Sequence, residues 1–151
     1  MPGDYFNLPL RLDLLTRRPN NKPAPAEVRE MTCTLDESIQ HHVYLLITTR
    51  FGEARYDPQF GSAIWEDDFS GGNDSNDTRW TDEIQNSIRD GVKQFEKRLE
   101  RVVVEVAINR DGGTDAHKRL SIVVSGEISR SNHRIFRFER QILIAPFVVQ
   151  K

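Results

Sequence analysis

Glu53 and Asp57 lie four residues apart in "FGEARYDPQFGSAIWEDD", and Glu66, Asp67 and Asp68 close the same stretch. Carboxylates paired at short range are the equipment of a glycosidase. A retaining enzyme holds its two carboxyl groups about 5 to 5.5 Å apart, and apolar surroundings keep one of them protonated. A turn of this length meets the distance. Glu53 with Asp57 or Asp67 would then make a small peptidoglycan hydrolase. Arg55 stands between Glu53 and Asp57. Its guanidinium favours the ionised form of both carboxyls, which opposes the acid role. The competing expectation is a structured turn with charges on its surface.

Other groups that carry chemistry are sparse. Cys33 has no base partner nearby in sequence and reads as a small apolar residue. His41, His42, His117 and His133 show neither H-E-x-x-H nor H-x-H spacing. "NDSND", from Asn73 to Asp77, lacks the glycine and the distal glutamate of an EF-hand loop. No glycine-rich phosphate loop is present. The expectation is no metal, no cofactor and no catalytic residue.

The stretch "QFEKRLERV" is the more informative one. On a helical wheel its apolar stripe spans a narrow arc, with Glu96 on one flank, Arg98 on the other, and Lys97 pointing away. Residues two apart do not face each other on a helix. At three and four residues from Arg98 stand Gln94, Phe95, Arg101 and Val102, none of them acidic. Arg98 must therefore meet a carboxylate elsewhere in the fold, meet one on a partner, or stay wet. Glu96 has Lys93 as a weak surface partner.

The elements that position these residues follow from periodicity. Leu8, Leu10, Leu12 and Leu14 alternate with polar residues and Pro9, which predicts a short edge strand. Pro19, Pro23 and Pro25 mark a loop or extended linker. Thr34 and Glu37 form a capping box, and Leu35, Ile39, Val43, Leu46 and Ile47 predict a helix from Leu35 to Arg50, closed by Gly52. Tyr44 and Leu45 fall on its other side, implying burial there too, within the chain or against a partner. A short helical piece is expected around Ala63 to Phe69, followed by the polar loop "SGGNDSNDT". Thr78 or Thr81 caps a second helix carrying Ile84, Ile88, Val92, Phe95 and Leu99. Gly91 within it costs about 1 kcal/mol relative to alanine, which points to close packing there. Three strands end the chain. They run from Arg101 to Asn109, from Arg119 to Ile128 with a bulge at Gly126, and from Arg134 to Ala145. The hairpin loop "RDGGTDAHK" and the turn "SRSNH" join them. The expected fold is α+β: two main helices packed on an antiparallel sheet of three to four strands.

A chain of 151 residues suits one domain. Residues 1–16 form its N-terminal strand segment, 17–31 a proline-rich linker and 32–151 the core. A net charge of −2 offers no global field to nucleic acid or anionic lipid. One cysteine allows no internal disulfide and suits a reducing compartment. No apolar run of signal-peptide or membrane-spanning type is visible, so the expected location is the cytoplasm.

These residues also resemble a known family. "TRFGEARYDPQFGSAIW" is similar to the G-E-R-x-x-x-P-x-F-G signature of the phage tail baseplate wedge (gene-25-like) family, which includes TssE of type VI secretion systems. The matching positions are Gly52, Glu53, Arg55, Pro58, Phe60 and Gly61, with Ala54 inserted before the arginine. "FEKRL" resembles the family's E-P-R motif at Glu96 and Arg98, with Lys97 in place of proline. The resemblance spans roughly residues 5 to 147. It implies a non-enzymatic part in the baseplate of a contractile injection machine docked at the bacterial inner membrane. It implies wedge proteins (TssF, TssG and TssK-like) as partners, and sheath subunits (TssB and TssC-like) that add a strand to the sheet. Glu96, Arg98, Glu53 and Arg55 become the expected protein-binding residues. Gly52, Pro58, Phe60 and Gly61 become the structural turn.

Overall fold

The computed structural model describes residues 5–8, 10, 24–66, 74–110 and 118–144. It is α+β, with one two-stranded and one three-stranded antiparallel sheet. Contacts divide the chain into two units, Met1–Tyr44 and Leu45–Lys151.

In the first unit, β1 (Tyr5–Phe6) pairs antiparallel with β2 (Thr32–Cys33), Tyr5 opposite Cys33. Among the described residues the pairing lies at Tyr5 and Phe6, ahead of the strand expected over Leu8 to Leu14. Leu8 and Leu10 lie outside any strand and are 45% and 48% exposed. Pro9, Leu12 and Leu14 are outside the described residues. Asn7 explains the early end: its side-chain oxygen accepts the Leu8 N–H at 3.0 Å, a local turn that competes with strand pairing.

Helix α1 (Pro25–Met31) replaces the end of the expected linker. Proline is well placed in a first helical turn, where its missing N–H goes unused and its φ is already helical. The Glu27 carboxylate accepts the Ala24 N–H at 2.8 Å, and Thr32 Oγ1 donates to the Val28 carbonyl at 3.0 Å. The predicted Thr34 capping box is present: Glu37 Oε2 accepts the Thr34 N–H at 2.8 Å, and Thr34 Oγ1 accepts the Glu37 N–H at 3.3 Å. Hydrogen bonds from Thr34 hold the Glu37 carboxyl below its usual range. Helix α2 (Leu35–Thr48) follows and buries Ile39 and Val43. Its last residues, Leu45 to Thr48, belong to the second unit. Tyr44 and Leu45 remain about half exposed.

The second unit continues through a 3₁₀ turn (Ala63–Trp65) to α3 (Asp74–Phe95). Asp74 to Asp77 are helical, so the second helix starts ahead of Thr78 and Thr81, and the loose calcium-loop pattern there does not form a loop. Ser70 to Asn73 lie outside the described residues. Ile84, Ile88 and Val92 are fully buried, as their spacing predicts. Gly91 lets α3 approach α2 closely: a Cβ there would sit 3.1 Å from Leu46 Cδ2.

Helix α3 packs on β3 (Leu99–Arg110), which with β4 (Lys118–Ile128) and β5 (Ile135–Ile144) forms a meander in the order β3-β4-β5. Leu120, Ile122, Val124, Ile128, Phe136 and Phe138 bury one face. Residues 111–117 of the hairpin loop are outside the described residues. The bulge predicted at Gly126 belongs to the opposite strand. The register slips between Glu100 and Val103, so Arg101 and Val102 together oppose Gly126. Arg101 takes a left-handed φ of 51° there. Gly126 is still needed, because a Cβ would lie 3.0 Å from the Glu100 carbonyl oxygen.

Candidate functional site

The Gly52–Gly61 stretch is a tightly bonded turn that caps the end of α2. Helix ends leave carbonyls without partners. Here Ser62 Oγ and Trp65 Nε1 both donate to the Ile47 carbonyl, at 2.8 and 3.0 Å, and the Ser62 N–H reaches the Thr49 carbonyl at 3.0 Å. Gly52 adopts φ 79°, and its N–H bonds to the Pro58 carbonyl at 2.9 Å. Phe60 meets Phe95 of α3 edge-to-face at 5.1 Å. The Ala63 N–H reaches Ser87 Oγ at 2.9 Å. Ser62, fully buried, and Ser87 were invisible to pattern reading, since an isolated serine carries no periodic signal.

The carboxylates of this turn are already engaged in building it. Glu53 Oε2 accepts the Arg50 N–H at 2.9 Å, and Asp57 Oδ1 accepts the Gln59 N–H at 3.0 Å. Glu53 is exposed, so the apolar setting of a general acid is missing around it. Arg55 is exposed and forms no ion pair among the described residues. Asp67 and Asp68 are outside the described residues. An open depression of about 420 Å³ lies beside the turn, lined by Phe51, Pro58, Gln59, Ser87, Asp90 and Gly91, among others. Neither Glu53 nor Asp57 lines it.

The Glu96–Arg98 stretch departs most from expectation. Helix α3 ends at Phe95, so neither residue is on its rim, and Leu99 opens β3 instead of closing the helical stripe. Freed of the helix, residues two apart pair. Arg98 Nε and Nη2 fork onto the two Glu96 oxygens at 2.7 and 2.6 Å, and the Arg98 N–H adds a third bond to Glu96 Oε1 at 3.0 Å. Such a bidentate pair is the stronger kind of charged hydrogen bond. The Glu96 side chain is 4% exposed and that of Arg98 31%. Glu96 is thus a buried ion with a fixed partner, not a solvated charge paired with Lys93. Lys97 turns back to cap the helix, donating to the Lys93 carbonyl at 3.1 Å. The Ser129 N–H donates to the Arg98 carbonyl at 2.8 Å, which ties this corner to the β4–β5 turn.

A second ionised cluster lies beside that turn. Glu127 Oε1 accepts from Arg101 at 2.7 Å, and Glu127 Oε2 lies 3.0 Å from His133 Nδ1. The hydrogen bond from His133, then that from Arg101, lowers the Glu127 pKa, and the same contact raises that of His133. The sign follows. Glu127 contributes stability above its unfolded pKa and loses it as pH falls through the lowered value. His133 contributes below its ordinary 6.5 and loses it as pH rises through the raised value. The pair is therefore worth most in mildly acidic solution. In an NMR titration His133 is expected to titrate at lower pH in Glu127→Gln than in the unsubstituted chain; equal values would dismiss the contact.

Among the described residues, no three histidine, cysteine or carboxylate side chains converge as metal ligands. No described helix is long and apolar enough to cross a membrane. No curated protein sequence matches the chain. The family model described as baseplate wedge protein gp25 matches residues 33–133, two thirds of the sequence, and includes both the turn and the Glu96–Arg98 corner. The chain belongs to this family. Two solved structures share the fold of this baseplate wedge protein. One is a Geobacter sulfurreducens protein described as a tail lysozyme, 22% identical, with a TM-score of 0.57 over 76% of this chain and 95% of that one. The other is a chain of the baseplate complex from the type VI secretion system, 14% identical, with a TM-score of 0.52 over 71% of this chain and 91% of that one.

Lys97 stands where the E-P-R motif that this stretch resembles has proline. Among the described residues the Lys97 N–H makes no backbone hydrogen bond, so proline would remove none. Lys97→Pro is expected to keep the fold, with a midpoint change of a few degrees at most, about 1 kcal/mol for the lost Lys97–Lys93 cap. A thermal melt that shows collapse would mean that the backbone at position 97 is outside proline's range.

Proposed function

We propose that this wedge-family chain is a non-enzymatic, TssE-like component of the baseplate of a contractile injection machine, working in the cytoplasm. It joins wedge proteins of the TssF, TssG and TssK type and anchors the first sheath ring. The carrying observation is the Glu96–Arg98 corner inside the family match. A partly exposed guanidinium is held rigid by a buried carboxylate, a preorganised contact that needs no further ordering on binding. Glu53 and Arg55, on the exposed turn, are proposed as a second contact. The outer edges of β3 and β5 suit strand addition by TssB- and TssC-like sheath subunits, since neither pairs with a further strand among the described residues. Hydrolysis is disfavoured, because Glu53 is exposed, without the apolar setting of a general acid, and Glu53 and Asp57 each hold a backbone N–H with one carboxylate oxygen.

Co-expression with TssF- and TssG-like proteins and capture through a tag tests the assembly role. Charge reversal at Arg98 is a poor probe, because it sets two carboxylates together in a buried corner. Arg98→Lys keeps the charge but loses the planar fork. Capture by the unsubstituted chain, lost with a folded Arg98→Lys, supports the contact. No capture, together with peptidoglycan digestion abolished by Glu53→Gln, would replace the baseplate role with a hydrolase.

A further inference from the structure

The charge of the chain is unevenly placed. The start of β3, the end of β4 and the start of β5 lie at one end of the meander, because Leu99 pairs with Ile128 and Glu127 with Ile135. Lys97, Arg98, Arg101, Arg130 and Arg134 gather at this end. Facing them are three carboxylates, Glu96, Glu100 and Glu127. Each carboxylate has a partner: Glu96 holds Arg98, Glu127 holds Arg101 and His133, and Glu100 accepts from Ser129 Oγ. Among the described residues these five cations stand against three carboxylates, on a chain whose total is −2. Arg101, Arg130 and Arg134 are all exposed.

The backbone that presents them is held, not floppy. Arg130, Asn132 and His133 take left-handed φ values of 60°, 47° and 58° within one turn. L-residues adopt that conformation at a cost of about 1 kcal/mol or more each, so surrounding bonds must fix it. Those bonds are present. The Ile128 N–H reaches the Arg134 carbonyl at 2.8 Å, the Arg134 N–H reaches the Ser131 carbonyl at 3.0 Å, and the Ser129 N–H reaches the Arg98 carbonyl at 2.8 Å. The last of these couples the turn directly to the Glu96–Arg98 corner.

We propose that this end of the meander, with Arg130 and Arg134 beside Arg98, is a docking surface for an acidic segment of a protein partner. The inference rests on the baseplate role above and extends its contact beyond Arg98. Charge complementarity selects the occupant: exposed guanidinium groups on a held backbone can fork onto carboxylates. Interleaved, already satisfied carboxylates make the surface a poor track for a phosphate backbone, which rewards unbroken positive charge.

The test compares three chains in tagged capture of the co-expressed TssF- and TssG-like proteins across a salt series. They are the unsubstituted chain, Arg98→Lys, and Arg130→Asn/Arg134→Gln. Asparagine tolerates the left-handed backbone at position 130, and unchanged thermal unfolding confirms that the double variant is folded. Arg134→Gln alone is the reserve if it is not. The double variant is expected to weaken capture about tenfold near 0.1 M salt and to flatten its salt dependence. Equal capture and equal salt slope, with Arg98→Lys still defective, would overturn this surface and leave the baseplate role standing. No capture by the unsubstituted chain would remove both. A short DNA duplex that binds the unsubstituted chain and not the double variant, while protein capture is unaffected, would reassign the patch to nucleic acid.

Discussion

Truncating Arg98 to alanine is expected to lower the unfolding free energy by about 3 kcal/mol, which for a chain of this length is roughly 9 °C in melting midpoint. The cause is what the truncation leaves behind. Glu96 is 3% exposed and has both oxygens committed to the Arg98 fork. Removing the guanidinium strands a buried carboxylate without its counter-charge, a larger penalty than the pair's own net worth. Partial exposure of Arg98 lets some water reach the gap, which keeps the value at the low end of the range for buried pairs. Two further measurements separate this cause from simple loss of packing. Removing the charge as well, in Glu96→Gln/Arg98→Ala, is expected to recover a large part of the loss. Acidification is expected to narrow the deficit of the single variant, since a protonated carboxyl tolerates burial. A single variant within about 1 kcal/mol of the unsubstituted chain would mean that the fork is a surface ornament and that the corner is held by backbone bonds alone.

The parts of this fold that were legible in the sequence are those set by burial period. Leu120, Ile122 and Val124 alternate because one face of β4 meets the core, and Ile84, Ile88 and Val92 recur because one face of α3 does. The Thr34–Glu37 capping box was equally plain, since both partners are local. What failed was set by side chains acting on the backbone. A helical wheel carries Phe95 smoothly on to Leu99, and nothing in it records that the Glu96 carboxylate captures the Arg98 N–H and stops the helix. The rule that residues two apart cannot meet is true inside a helix and irrelevant one residue beyond its end. Gly126 flagged a bulge, but the extra residue sits across the ladder at Arg101, which no local pattern marks. The glycines and proline of the Gly52–Gly61 turn announced a turn. Only packing shows that buried Ser62 is what fastens it to α2.

Gly61→Ala is the second large effect, and it separates two reasons for a glycine. Gly61 adopts φ 148°, and a Cβ built on it would lie 2.8 Å from the Thr49 carbonyl oxygen and 3.0 Å from both Arg50 C and Phe51 N. All three are backbone atoms, so no side chain can swing aside. The clash falls on the segment where Arg50 and Ser62 bridge in parallel and the Ser62 N–H reaches Thr49. Relief requires parting that bridge, which pulls Ser62 Oγ from the Ile47 carbonyl and loosens the end of α2. Backbone strain and overpacking together put the expected loss at about 3 kcal/mol. Gly52→Ala is the internal control. Its φ of 79° is left-handed too, but nothing lies within 4 Å of the added methyl. Only the conformational term remains, about 1 to 2 kcal/mol. Urea unfolding of the two variants measures the difference directly. A Gly61→Ala loss no greater than that of Gly52→Ala would mean that the turn yields to the methyl, and that Gly61 is present for its φ rather than for the contact with Thr49. A clear excess at Gly61, with an unchanged m-value, would show that the turn is clamped to α2 tightly enough to hold Glu53 and Arg55 in fixed positions, as a protein contact requires.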